Sequence, residues 1–67
     1  MITVSINGES RQFPQVISVA ALIAEMGLSG KRIALERNGE IVPRSQFAER
    51  QLADGDKLEI VVAVGGG

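Results

Sequence analysis

The stretch Ile2-Thr3-Val4-Ser5-Ile6-Asn7-Gly8 decides how this chain of 67 residues folds. Ile2, Val4 and Ile6 alternate with Thr3 and Ser5, and period-two alternation of β-branched residues predicts a half-buried strand. Asn7-Gly8 tolerates the positive φ angles of a two-residue hairpin turn. A second strand follows through Arg11-Gln12-Phe13 and ends near Pro14, which has no N–H to give to a ladder. The chain therefore opens with a β-hairpin.

Beyond it the period changes. Val19, Leu22, Ile23 and Met26 recur at helical spacing among good helix formers, Ala20, Ala21 and Ala24. Ser18 suits the N-cap, Ile17 is placed to staple onto Leu22, and Gly27 is placed to end the helix in a left-handed conformation. Ile33–Arg37 reads as a strand, Asn38-Gly39 as a second hairpin turn, and Glu40-Ile41-Val42 as a short return strand before Pro43. Ser45 is a candidate cap for a helical turn through Gln46–Arg50, with Phe47 and Leu52 turned inward. Asp54-Gly55-Asp56 reads as a turn; the two carboxylates fit turn chemistry better than an acid–base pair. The final strand, Lys57–Val64, sets Leu58, Ile60, Val62 and Val64 on one face. The expectation is an α+β domain over residues 1–64, a sheet of four to five strands crossed by one helix, with a flexible glycine tail at 65–67.

Composition removes most catalytic routes. The chain has no cysteine and no histidine. It therefore has no thiolate for nucleophilic attack or metal binding, and no imidazole to act as a base near neutral pH. Seven basic and eight acidic residues leave a net charge of -1, and aromatics make up 3% of the chain. That balance offers neither the basic stripe nor the stacking platforms of a nucleic-acid binder. No signal-peptide pattern or membrane-length apolar run is present, so a soluble, cytoplasmic protein that is not itself an enzyme is expected, with no metal bound.

Gly65-Gly66-Gly67 has two readings. One is a frayed terminus, since glycine loses the most conformational entropy on ordering. The other is a tail without Cβ atoms that threads a narrow channel in a partner, Gly65 and Gly66 passing through and Gly67 delivering its carboxylate. An α-carboxyl group with a pKa of about 3.3–3.7 is ionised at neutral pH. It can attack the α-phosphorus of ATP to form an acyl-adenylate, from which a sulfur nucleophile displaces the nucleotide to leave a thiocarboxylate. Such a carrier needs no catalytic side chain of its own.

The segment Asn38-Gly39-Glu40-Ile41-Val42-Pro43-Arg44-Ser45-Gln46-Phe47 resembles the N-G-x-x-V-P-R-x-x-[WF] stretch of the ThiS family, the sulfur carriers of thiamine biosynthesis. The Asp54-Gly55-Asp56 turn, the apolar last strand and the glycine end are similar too, so the resemblance covers essentially the whole chain. It implies the ubiquitin-like β-grasp fold, with first and last strands parallel at the sheet centre. It implies an adenylation and thiocarboxylate site at Gly67, formed by a ThiF-type adenylyltransferase that uses ATP, while this chain binds no cofactor. It implies sulfur from a donor such as a cysteine desulfurase, passed on to a ThiG-type thiazole synthase. The small subunit of molybdopterin synthase shares this chemistry but lacks the Val-Pro-Arg stretch; a ubiquitin-like interaction module with no transfer chemistry is the third alternative.

Three further residues are candidate partner contacts. Arg44 either orients a loop as a solvated cation or touches the activating enzyme or synthase. Val61 and Ala63 lie opposite the Leu58–Val64 face, where apolar side chains beside the tail would mark an interface. The pattern alone leaves open which face is outward, because a slip of one residue exchanges the two.

Overall fold

In a computed structural model, which describes residues 1–63, the elements run β1 (Ile2–Ile6), β2 (Glu9–Phe13), α1 (Val19–Glu25), β3 (Ile33–Arg37), β4 (Glu40–Ile41), a 3-10 turn (Arg44–Gln46) and β5 (Lys57–Val62). The five strands form one sheet in the order β2-β1-β5-β3-β4. β1 and β5 are parallel at its centre, and the remaining pairs are antiparallel. With α1 laid across one face, this is the β-grasp arrangement. Both edges are poor templates for further pairing: β2 is exposed and polar apart from Phe13, and β4 is two residues long.

Both Asn-Gly pairs form two-residue hairpin loops. Asn7 and Asn38 have φ of 51° and 52°, and Gly8 and Gly39 both have φ of 87°, the positive-φ pair that a type I′ turn requires. The helix ends as expected too. Ser18 Oγ accepts from the Ala21 N–H at 3.0 Å. At the other end Gly27 has φ of 72°, and the Leu28 N–H reaches the Ile23 carbonyl while the Gly27 N–H reaches that of Ala24, both at 3.0 Å. That pair of bonds is a Schellman motif, which glycine enters without a Cβ penalty.

The core lies between α1 and the sheet. Val19, Leu22 and Ile23 from the helix meet Val4, Ile6, Leu35, Leu58 and Ile60 from the strands. Phe47 and Leu52 close one side, as their spacing suggested. Ser45 does not cap: it lies within the 3-10 turn, Pro43 holds the N-cap position, and no side-chain cap bond forms there. The turn starts earlier than the pattern implied because proline's fixed φ suits the residue that leads into a helix. Val64, placed in β5 by its alternation, lies outside the described residues, as do the three terminal glycines.

β5 is held by side chains as well as by its ladder. Parallel pairing with β1 covers only Ser5 with Lys57 and Ile6 with Leu58. Where β1 turns away, the Asn7 amide takes over: its Nδ2 donates to the Ile60 carbonyl at 3.1 Å and its Oδ1 accepts from the Ile60 N–H at 2.8 Å. On the other edge Asn38 Oδ1 accepts from the Lys57 N–H at 2.9 Å. Just before the strand sits Asp56, 6% exposed. Its carboxylate accepts from Arg37 Nε at 2.9 Å, Asn38 Nδ2 at 3.1 Å and the Ala53 N–H at 2.8 Å. Asp54 ties the same turn to β1, accepting from the Thr3 N–H at 2.7 Å.

Asp56→Ala should cost about 3–5 kcal/mol, because it strands a half-buried guanidinium and a backbone donor together. Asn7→Gly keeps the turn geometry and removes only the clamp on Ile60, so it should cost about 1–3 kcal/mol. Urea unfolding followed by far-UV circular dichroism measures both, the chain having neither Trp nor Tyr. Equal stability of Asn7→Gly and the parent chain would show that the asparagine amide does not hold β5.

Candidate functional site

The candidate site is the end of β5 and the sheet face beside it. Along β5 the residues alternate between buried Leu58 and Ile60 and exposed Lys57, Glu59 and Val61, with Val62 half-buried and Ala63 exposed. The register settles the face that the sequence left open. Leu58 and Ile60 point to α1, and Val61 and Ala63 belong to the outer face. Val61 is 65% exposed and Ile41, on the same face, 64%. Exposed β-branched side chains on a sheet face without a covering layer make that face a candidate contact surface.

β5 stays ordered to the edge of the described chain. The Ala63 N–H donates to the Arg32 carbonyl at 2.9 Å, which continues the β3 pairing one step past Val62. Arg44 sits near this end by a different route: its Nη2 donates to the Lys31 carbonyl at 3.2 Å. Arg44 thus ties the 3-10 turn to the loop before β3, which is the loop-orienting role. It also lines a shallow groove with Ala20, Ile23, Leu28, Ile33 and Phe47 on the helix side of the sheet. The structure therefore brings Arg44, Val61 and Ala63 to one end of the molecule, with Arg44 on the opposite side of the sheet from the other two.

Gly65, Gly66 and Gly67 lie outside the described residues, so the geometry bears on where the tail departs and not on its path. Among the described residues no group of His, Cys, Asp or Glu is placed to hold a metal ion. Asp54 and Asp56 are both engaged in backbone and turn bonds. They carry no acid–base pair. No described helix is long and apolar enough to cross a membrane.

Sequence reasoning missed three features: a buried anchor, the asparagine amides and a cross-strand pairing. Asp56 was read as a turn residue, yet it is the buried anchor of an ion pair with Arg37. Asn7 and Asn38 were read only for their backbone angles, although their amides bond β5. The outer-face pairing of Glu36 with Glu59 needed a register that a single strand's pattern does not contain.

The comparisons agree on the relationship. The ThiS family model matches residues 4–67. A thiazole synthase of Paramagnetospirillum magneticum is 52% identical over 62 residues, covering 92% of this chain and 19% of the synthase, so the chain spans about a fifth of that relative. The sulfur carrier protein ThiS of Bacillus subtilis is 40% identical over 50 residues, 75% of this chain and 76% of that protein. The crystal structure of the thiamine biosynthesis protein ThiS from Geobacter metallireducens superposes with a TM-score of 0.82 at 25% identity, covering 98% of this chain and all of the other. With a family match that runs from Val4, within β1, to Gly67, and a β-grasp fold shared over nearly its full length, the chain belongs to the ThiS family.

Proposed function

We propose that this chain is a sulfur carrier for thiamine biosynthesis whose reactive group is the carboxylate of Gly67. The observation that carries this reading is the family match that runs through Gly67, on a domain whose central strand leads toward that end. The chemistry belongs to partner enzymes. A carboxylate oxygen of Gly67 attacks the α-phosphorus of ATP in a ThiF-type adenylyltransferase, and pyrophosphate leaves. A persulfide sulfur, supplied by a donor such as a cysteine desulfurase, attacks the acyl carbon, and AMP leaves. A thiol then cleaves the sulfur–sulfur bond and frees the thiocarboxylate. Gly65 and Gly66 thread the tail into each partner, since residues without Cβ atoms pass where others clash.

A thiazole synthase is the acceptor in this reading. Support comes from the relative in which a domain like this one forms part of a longer thiazole synthase. Joining two domains in one chain raises their effective concentration, which suits partners that must meet. Val61 and Ala63 make the sheet-face contact, and Arg44 approaches the partner from the helix side.

Incubation with the adenylyltransferase, ATP and a sulfur donor should shift the intact mass by one sulfur in place of one oxygen. Deleting Gly67 should abolish that shift while the thermal unfolding midpoint stays within about 1 °C of the parent, because the core cluster is built from side chains between Ile2 and Ile60 and glycine has no side chain to bury. An unchanged mass of the parent chain with partners active on another carrier would leave a bare interaction module as the better description.

A further inference from the structure

The two hairpin turns are chemically alike and mechanically different. Asn7-Gly8-Glu9 and Asn38-Gly39-Glu40 repeat the same three residues. In both, the asparagine N–H donates to β5, Asn7 to the Leu58 carbonyl at 2.9 Å and Asn38 to that of Lys57 at 2.7 Å. In both, the side-chain amide is bonded through its oxygen and its nitrogen. Asn7 holds the N–H and carbonyl of Ile60, and Asn38 holds the Lys57 N–H and Asp56 Oδ1. The ladders behind the turns differ. β1 and β2 pair over five residues each. β3 and β4 pair as Glu36 with Ile41 and Arg37 with Glu40, followed by one bond from the Val42 N–H to the Leu35 carbonyl.

Asparagine is a thermolabile residue, and before glycine it is where a chain most readily attacks itself. The glycine nitrogen, with no Cβ beside it, adds to the asparagine Cγ. The side-chain nitrogen leaves as ammonia, and a five-membered succinimide closes. Water then opens the ring, at one carbonyl to give aspartate and at the other to give isoaspartate, whose backbone runs through the side-chain methylene. For Cγ to meet its own backbone, the amide must swing away from β5 and both its hydrogen bonds must break. The clamp on the strand therefore also protects the asparagine, and conversion follows how often the turn opens. The products differ as well. At Asn7 the new carboxylate faces the Ile60 carbonyl. At Asn38 it replaces a donor that lies 3.1 Å from Asp56 Oδ1, beside a carboxylate 6% exposed whose partner Arg37 is already engaged. Lys57 is exposed and forms no ion pair among the described residues. Like charges that close cannot both ionise without a penalty.

We propose that Asn38 is the site at which the folded protein deamidates, because the β3–β4 turn opens more readily than the β1–β2 turn. Opening at Asn38 disturbs a two-residue strand at the edge of the sheet. Opening at Asn7 pulls on a five-residue hairpin whose inner strand, β1, is paired on both sides. The change runs one way. The product has no Nδ2 donor, so the bond to Asp56 does not re-form, and the anchor of the loop before β5 is weakened. Isoaspartate also adds a backbone atom to a two-residue loop whose geometry has no room for one. The inference is independent of the sulfur-carrier reading.

The test holds the full chain in mildly alkaline buffer, with and without denaturing urea, and maps it by mass spectrometry after trypsin. Cleavage after Arg11, Arg37 and Arg44 puts Asn7 and Asn38 in separate peptides. In urea the two turns should convert at similar rates, since Gly-Glu follows both asparagines. In the folded chain both should slow, with Asn38 ahead of Asn7 by about tenfold. N38D should lower the unfolding midpoint more than N7D. D56N should be less damaging in the N38D background than in the parent, because it removes the repulsion. Folded-state rates equal to those in urea overturn protection by the clamp. Asn7 converting as fast as Asn38 in the folded chain, or faster, overturns the assignment to the β3–β4 turn. Additive effects of N38D and D56N overturn the clash with Asp56. The peptide map uses the parent chain alone, so it decides the site even where a variant fails to fold.

Discussion

Everything in this molecule depends on fixing β5 at the centre of the sheet. A strand in that place needs a neighbour on both edges, yet β1 pairs with it over only two residues before turning into its hairpin. The shortfall is made up by side chains. Asn7 bonds both the N–H and the carbonyl of Ile60, standing in for the strand residue that the turn has carried away. Asn38 does part of the same on the opposite edge, and Asp56 holds the loop that delivers the strand. These bonds are valuable because an unpaired backbone group in the middle of a sheet loses its water without gaining a partner.

That constraint sets the two faces apart. Once Lys57–Val62 is locked in register against β3, the even-numbered residues Leu58 and Ile60 must pack on α1, and Val61 must stand in solvent. A domain of this size has little apolar surface to spare. It nevertheless leaves Val61, Ile41 and Ala34 uncovered and sets two glutamates opposite each other. This face adjoins the end of β5. Core, clamp and exposed face are thus three consequences of one strand's placement.

Much of this was legible in the residues. The alternation of Ile2, Val4 and Ile6, the two Asn-Gly turns, the Ser18 cap and the Gly27 stop all report local backbone preferences, and the fold honours each one. The Arg44 guanidinium ties one loop to another, a local contact that bears on neither partner. Ser45 misled because its chemistry suits a cap, but the preceding proline had already set the start of the turn. Asp56 and the Asn7 amide were under-read for a different reason. Their partners, Arg37 at one site and Ile60 at the other, are distant in the chain, and no local pattern names a distant partner.

By itself, then, the amino-acid sequence determined the elements, their turns and caps, the lack of thiol and imidazole side chains, and the glycines that the family match takes in. These follow from the steric preferences and inventory of neighbouring residues. Only the tertiary structure decided which face of β5 is outward, which side chains clamp it, and that Glu36 meets Glu59 across the ladder. Each of these depends on register between strands far apart in the chain. Register is set jointly by the packing of the whole core, so it is a property of the assembled fold that no single segment carries.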